Sequence, residues 1–405
     1  MSKLDELIAE LCPDGVEYKT LGEVCEIGKG IQFNKKNMQE KGSYPVINGG
    51  INPSGYIEQY NQNENTITIS QGGASAGYVN WIDKKFWAGA HCYVLNSNES
   101  IVQNRYVFHF LKSKEHKLQE CQYGAGIPAL SKSTVSELQI PIPPLPVQEE
   151  IVRILDSFTE LTAELTAELT ARRKQYEYYR DELLSFGGKT HGGGYKVIWK
   201  TLGEIATDIY RGNGITRDQI TEDGIPCVRY GEIYTTYGIH FDKCVSHTKL
   251  ENISNPKYFE HGDILFAITG ESIEDIAKST AYVGNERCLT GGDIVVMKHN
   301  QNPKYLSYAL STTNAIKQKG AGKVKSKVVH SSIPAISAIT IPIPPLAVQE
   351  RIVHVLDNFD AICADLKIGL PAEIDARKKQ YEYYRDRLLS FDAAVSSDAY
   401  TTGGV

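Results

Sequence analysis

The side chains best suited to chemistry in this chain stand in polar loops backed by glycine. From Lys29 to Lys36 the sequence reads KGIQFNKK, gathering Lys29, Gln32, Asn34, Lys35 and Lys36 around Gly30, and Gln71-Gly72-Gly73-Ala74-Ser75-Ala76-Gly77 forms a second such loop. Beyond residue 200 come Arg211-Gly212-Asn213-Gly214 with Thr216 and Arg217, then Arg229-Tyr230-Gly231 running through Tyr234 to Tyr237, then Thr269-Gly270-Glu271-Ser272. Lys317, Lys319, Lys323, Lys325 and Lys327 make a basic run broken by glycine. Amides, hydroxyls and guanidinium groups of this kind pair with base edges, and cations on flexible backbone can follow a line of phosphates. The plainer alternatives are solvated turns for the loops and a solvated face for the lysines.

Covalent chemistry finds no machinery. The Asn-Pro-Pro-aromatic tetrapeptide of amino methylation is absent, because Asn52-Pro53-Ser54 and Asn302-Pro303-Lys304 lack the second proline, and no GxGxxG cradle follows a strand. Gly188-Lys189-Thr190 resembles the end of a phosphate loop, but Leu183 stands where its first glycine belongs; Gly322-Lys323 lacks both the leading glycine and the hydroxyl residue. The 10 histidines show no metal-ligand spacing, and His91 beside Cys92 reads as a core pair. The 8 cysteines have no CxxC spacing, so neither a zinc module nor a disulfide framework is expected.

A length of 405 residues allows two to three domains, and 41% hydrophobic with 23% charged residues is ordinary for a soluble globular protein. Met1 to Leu11 is acidic and amphipathic rather than a secretion signal, and no apolar run approaches membrane-spanning length, so a cytoplasmic location is expected. The net charge of -6 looks wrong for a partner of nucleic acid, yet the acid is not in the globular parts. Tyr18 to Ile140 carries 12 Lys and Arg against 10 Asp and Glu, a net of +2, and Trp199 to Ile341 carries 16 against 15, a net of +1.

The elements that must position these loops are written twice. IPIPPLPVQEEIVRILD at Ile140 to Asp156 returns as IPIPPLAVQERIVHVLD at Ile341 to Asp357, and KQYEYYRDELLSF ending at Phe186 returns as KQYEYYRDRLLSF ending at Phe391. Steps of four and three mark a helical seam at Ile151, Leu155, Phe158, Thr162, Leu165, Leu169, Arg172, Tyr176, Tyr179 and Leu183. The second copy runs Ile352, Leu356, Phe359, Cys363, Leu366, Leu370, Ile374, Arg377, Tyr381, Tyr384 and Leu388, with two successive steps of four beside Pro371 that imply one added turn. Each helix follows a proline run that fixes an extended entry, and the two should pack antiparallel. Tyr176, Tyr178, Tyr179 and their copies Tyr381, Tyr383, Tyr384 are read as seam packing rather than base stacking. Arg172-Arg173-Lys174 and Arg377-Lys378-Lys379 either face nucleic acid or complement nearby acids.

Each globular part opens on a repeat, YKTLGEV from Tyr18 and WKTLGEI from Trp199. Asp5-Glu6-Leu7 echoes Asp181-Glu182-Leu183, which implies a cyclic layout in which the N-terminal helix completes the bundle beside the end of the second long helix. Gly124-Ala125-Gly126 with Ile127-Pro128-Ala129-Leu130-Ser131 matches Gly320-Ala321-Gly322 with Ile333-Pro334-Ala335-Ile336-Ser337. Strands are expected at Thr66 to Ser70, Tyr93 to Leu95, Ile264 to Thr269 and Ile294 to Met297, with helices at Asn104 to Glu120 and Pro303 to Gln318.

This succession of variable domain, PIPPLxxQExIVxxLD helix ending in KKQYxYYRDxLLSF, and a second of each resembles the DNA-specificity subunit of type I restriction-modification systems, over nearly the whole chain and down to the TAEL tetrapeptides. The resemblance implies an α+β fold in which two small α/β target recognition domains are separated by two long antiparallel coiled-coil helices in a pseudo-twofold cyclic repeat. It implies a non-catalytic chain whose domains each read half of a bipartite site in double-stranded DNA, with the helices as spacer. Two modification subunits that carry S-adenosylmethionine and methylate adenine would dock there, and restriction subunits, the translocase and nuclease, would complete an endonuclease. No cofactor or metal is expected on the chain itself.

The layout expected is a helical segment at 1–17, a first recognition domain at 18–146, the central helix at 147–186, a Gly-rich linker at 187–198, a second recognition domain at 199–346, the C-terminal helix at 347–391 and a tail at 392–405. Two rival classes are a two-headed scaffold for a non-nucleic-acid partner and a self-sufficient methyltransferase or nuclease; the absent motifs oppose the second.

Overall fold

The computed structural model describes residues 2–124, 126, 128–186, 197–323, 328–364 and 369–391. Lys325, Lys327, Leu366, most of the linker and the tail lie outside the described residues. Among those described, no helix is long and apolar enough to cross a membrane. The chain divides into two compact units, Met1–Thr166 with Glu373–Val405, and Ala167–Ala372.

The first unit holds a head closed by its own ends. Glu17–Thr20 pairs antiparallel with Gln139–Ile142, placing Tyr18 opposite Pro141; proline has no N–H to donate, so it suits a two-stranded ribbon and not a wide sheet. Thr20 and Glu23 then form a reciprocal cap on the one-turn helix Leu21–Val24. Cys25–Lys29, Cys92–Ser97, Thr66–Ser70 and Val79–Ile82 follow as an antiparallel sheet in that order. A smaller sheet sets Tyr44–Ile47 antiparallel to Tyr56–Ile57 and parallel to Trp87–Ala88. The helix Asn104–Glu120 covers the main sheet with Tyr106, Val107, Phe110, Leu111 and Leu118, and this cluster continues into Ile151 and Leu155 of the central helix.

The second unit repeats the frame and enlarges it. Ile198–Thr201 pairs with Thr340–Ile343, Trp199 opposite Pro342, and Thr201 with Glu204 repeats the cap. Its main sheet runs Ala206–Arg211, Ile294–His299, Ile264–Ala267, Ser279–Tyr282 and His240–Phe241. Ile225–Val228 lies parallel to Cys288–Thr290, as Tyr44–Ile47 lies to Trp87–Ala88, inside a second five-stranded sheet. The helix expected over Pro303 to Gln318 is two, Pro303–Leu310 and Thr313–Gly320, because the Thr312 hydroxyl accepts from the amide of Ala315 and starts a new helix. The strand at Ile264 ends at Ala267, and Thr269–Gly270 turns away to pair with Val329–His330.

One sequence match between the heads dissolves. Ser131 caps the helix Lys132–Ser136, and Ser332 caps Ile333–Ser337. Val135 and Ile336 are both fully buried, and Ser136 meets Gly22 as Ser337 meets Gly203. The helix Ile333–Ser337 therefore corresponds to Lys132–Ser136, and not to the stretch ending at Ser131 whose letters it shares, since Ser131 is the cap before that helix.

The central helix runs Leu145–Ser185, so Pro146 lies in its first turn, where a missing N–H costs nothing, and not in an extended entry. The second copy was expected as one helix; its described parts are Leu346–Ala364 and a fresh start at Leu370–Leu388 after a bend at Gly369, with Pro371 in the new first turn. Pairing is antiparallel within each unit. In the first, Phe158 stacks on Tyr384 at 5.4 Å, and Leu388, Leu389 and Phe391 join a cluster with Leu4, Leu7 and Ile8 of the N-terminal helix Lys3–Leu11. In the second, Tyr179 stacks on Phe359 at 6.2 Å, while Tyr176, Leu183 and Leu184 cluster with Ile352 and Leu356.

Toward its C-terminal end the buried face leaves the expected seam. Tyr176, Arg180 and Leu184 are buried while Tyr179 is exposed and Leu183 only partly covered, and in the copy Leu389 is buried where Leu388 is half-covered. The reason is a step of four that lets each arginine guanidinium lie over a tyrosine ring: Arg180 over Tyr176 at 5.7 Å and Arg385 over Tyr381 at 5.5 Å. Leu165, Leu169, Leu370 and Tyr384 are half-buried.

Candidate nucleic-acid interface

Each head is seated on its helix by a duplicated joint. Gln148, fully buried, accepts from the amide of Gln103 at 2.9 Å and donates to the carbonyls of Pro143 and Ile101 at 2.7 and 3.0 Å. Gln349 accepts from Asn302 at 3.0 Å and donates to Pro344 at 2.8 Å. The Tyr106 hydroxyl donates to Pro141 and that of Tyr305 to Pro342. Asp156 pairs with Arg105 and His109, and Asp357 with Lys304 and Tyr308. Burial holds the His109 imidazole below its usual pKa.

The same three backbone hydrogen bonds shape one loop cluster in both heads. The amide of Gly30 donates to Cys92 and that of Gly212 to Ile294; Gly89 donates to Ile47 and Gly291 to Val228; Gln71 donates to His91 and Ile268 to Asp293. A Cβ at Gly30 would lie 2.1 Å from the carbonyl oxygen of Gly89, and one at Gly212 the same distance from that of Gly291. Only glycine passes there. By this equivalence Lys29 matches Arg211, Asn48 matches Arg229 and His91 matches Asp293.

In the second head the cluster opens as a cleft of about 440 Å³ lined by Arg211, Asn213, Thr216, Arg229, Tyr230 and Asp293, with Gly291 and Gly292 as its floor. Five sequence candidates thus meet in one place, but their freedom differs. Asn213 spends its amide on Ser254 and Asn255, and its oxygen on Gly214. Thr216 caps the short turn Arg217–Gln219, leaving Arg217 exposed. Arg211, exposed, donates to Gly292 and pairs with the partly exposed Asp293 at 2.7 Å. Arg229 donates through Nε to Glu232 at 3.0 Å and pairs through Nη2, while the buried Glu232 also accepts from Ser246 at 2.6 Å. Tyr230 is exposed.

Tyr234 is not part of that surface. Its hydroxyl donates to Ala267 and lies against Gly270, and burial pushes the phenol up to about 12. Thr269 shares a hydrogen bond with His330, Ser272 is spent on Asp275, and Glu271 is exposed. Lys319 leaves the basic run altogether: it is buried, bonded to Ser279 at 3.1 Å, and desolvation brings its ammonium down to about 7. Lys323 remains half-covered in a turn after Gly322.

In the first head, Lys29, Gln32, Asn34, Lys35 and Lys36 are exposed, with Asn34 capping the turn Lys35–Asn37 through a bond from the amide of Lys36. Gln71, Gly72, Gly73 and Ser75 form a tight turn in which Gly73, at φ 84°, takes a bond from its amide to Pro128. Both loops meet the turn Gly89–His91. His91 is exposed there, so it is no core partner of Cys92, whose buried thiol is pushed up to about 12. Sequence reading missed Asn48, Glu232 and Asp293. The signal existed, since Val46-Ile47-Asn48-Gly49 and Cys227-Val228-Arg229-Tyr230 both end an apolar run in a polar residue, but no letters are shared at the position itself.

On the helices, Arg172 pairs with Glu168, Arg377 with Glu373 and Lys379 with Asp375, so these cations complement nearby acids. Tyr178 and Tyr383 are exposed at the rim. Among the described residues no group of three or more His, Cys, Asp or Glu could hold a metal ion.

Two heads thus share one frame, and each is joined to an antiparallel helix pair. The family model described as the type I restriction modification DNA specificity domain matches residues 13–172 and 197–376, and the chain belongs to that family as a specificity subunit rather than an enzyme. It is 31% identical over 391 residues to a putative type I restriction enzyme specificity subunit of Haemophilus influenzae, covering 93% of this chain and 96% of that one. It is 30% identical to the specificity subunit of a type I restriction enzyme of Escherichia coli, covering 96% and 97%. The solved specificity subunit of M. genitalium shares the fold with a TM-score of 0.56 at 20% identity, over 93% of this chain and 97% of that one. A chain from a type I restriction-modification assembly does so with 0.58 at 17%, over 94% and 98%.

Proposed function

We propose that each head reads one half of a bipartite DNA site and that the paired helices set the spacer between the halves. The observation that carries this reading is the loop cluster framed by identical backbone bonds but furnished with different side chains, Asn48 in one head and Arg229 at the same position in the other. Two half-sites of unlike sequence require that arrangement: a fixed frame, and variable groups at the base edges. Lys29, Lys35, Lys36, Arg211, Arg217 and Lys323, with Lys325 and Lys327 beyond them, then place the heads on phosphates.

Catalysis belongs to partners in this reading. Two modification subunits, holding S-adenosylmethionine, dock on the helical region and methylate adenine, and restriction subunits join for cleavage; the whole acts on chromosomal DNA in the cytoplasm. The domain limits proposed from sequence serve the same scheme, heads at 18–146 and 199–346 with helices at 147–186 and 347–391. Half-sites roughly one helical turn of B-DNA apart, about 34 to 36 Å, would present the same face to both heads. Methylome sequencing of a host with and without this chain tests it: a bipartite methylated motif should appear with the chain and vanish without it. Absence of any such motif, together with no salt-dependent retention of DNA by the assembled complex, would favour a scaffold for another kind of partner.

A further inference from the structure

We propose that Arg229 reads a guanine in the half-site of the second head and that Glu232 is its positioning residue. The inference rests on the DNA-reading function proposed above and names one determinant within it. Glu232 is buried, and it takes bonds from Ser246 and from the Nε and Nη2 groups of Arg229. A buried carboxylate cannot be left without its cation, so the arginine is held in one orientation. Its Nη1 group and the second Nη2 proton are left for a ligand in the cleft that it lines with Arg211 and Tyr230.

Charge decides which ligand suits it. The Arg229–Glu232 pair is neutral as a unit, which weakens its pull on a phosphate but keeps two parallel donors at fixed spacing. Guanine offers two acceptors, O6 and N7, side by side in the major groove, and a bidentate arginine is their usual partner. Arg211 differs: its carboxylate partner, Asp293, is partly exposed and can be hydrated alone, so that pair can part and Arg211 can meet a phosphate. In the first head Asn48 occupies the equivalent backbone position, but its Oδ1 already accepts from the amide of His91 at 3.2 Å, so that head offers a different group there.

The test uses the chain assembled with its methyltransferase partners, with methylation of a randomised-site DNA library sequenced for the wild type and for Arg229→Lys, Arg229→Gln, Glu232→Gln and Arg211→Ala. Expected is one G·C pair, in one half-site only, whose preference falls by roughly tenfold in Arg229→Gln and Arg229→Lys and less in Glu232→Gln, with the other half-site unchanged. Arg211→Ala should lower methylation evenly across bases. Arg229→Lys keeps the charge and nearly the volume, so it decides the matter if Arg229→Gln does not fold. An even loss in Arg229→Lys, or relaxation at an A·T pair, would overturn the assignment. Replacing the whole second head separates the two levels: if that leaves both half-sites as they were, the parent reading fails, and if it changes one half-site while Arg229→Lys changes none, only this inference fails.

Discussion

Gln148 and Gln349 occupy the same post in the two units, each buried where a head meets its helix and each accepting the amide bond that starts the head's covering helix. Replacing Gln349 by Ala strands the amide of Asn302 and the carbonyl of Pro344. Each buried orphan costs about 1 to 3 kcal/mol, so Gln349→Ala should lose about 2 to 6 kcal/mol of stability in urea unfolding. A loss below about 0.5 kcal/mol would show that water takes over both groups.

Lys319 gives a stability that rises with alkali. Its folded value is about 7 against 10.5 for the free side chain, through desolvation first and the charge of Lys278 second. Between those values the unfolded chain holds more protons, so stability should climb from pH 7 to about 10.5, with the full penalty present below 7. Lys319→Met should remove that slope and stabilise the protein at pH 7 by on the order of 2 kcal/mol. Urea midpoints of both proteins at pH 7 and 9.5 measure it; parallel curves would refute the assignment.

Acid should act through His299. Burial lowers its pKa from 6.5 to about 4. The unfolded chain then binds the proton first, so stability is intact above 6.5 and is lost as pH falls towards 4. His299→Leu should flatten part of that limb, by on the order of 2 kcal/mol, in thermal melts at pH 4.5 against 7. The remainder belongs in part to His109, lowered for the same reason.

Removing Thr166 to Leu169 deletes about one helical turn, or roughly 5.4 Å of rise. Under the proposed scheme the unspecified gap of the methylated motif shortens while both half-site sequences persist. A motif with its gap unchanged would sink the ruler idea, and loss of only one half-site would point instead to local damage.

The central long helix and the first covering helix were legible because their signal is local, an apolar spacing, whereas the ribbons that close each head join residues more than a hundred positions apart and were not foreseen. Asn104–Glu120 appears with the limits expected from sequence. What failed was positional. Residues 128–131 and 334–337 share letters but not places, and the divided helix at Thr312 turned on one hydroxyl choosing to cap. Lys319 looked like its neighbours until packing buried it against Ser279 and the ring of Phe266. Within the cleft, Arg211, Asn213, Thr216, Arg229 and Tyr230 could be named in advance; Asn48 and Asp293 owe their places to segments far away in the chain, and Glu232, only three residues from Arg229, gave no letter signal that it would be buried.

The tight passage at Gly30 and Gly212 has a longer consequence. Where no side chain fits, the backbone's course is settled independently of the side chains that follow, so substitutions a few positions downstream can drift without bending the support beneath them. Under the proposed reading, a lineage could thus acquire new sequence tastes by changing what hangs from the crossing while the crossing stays as it is.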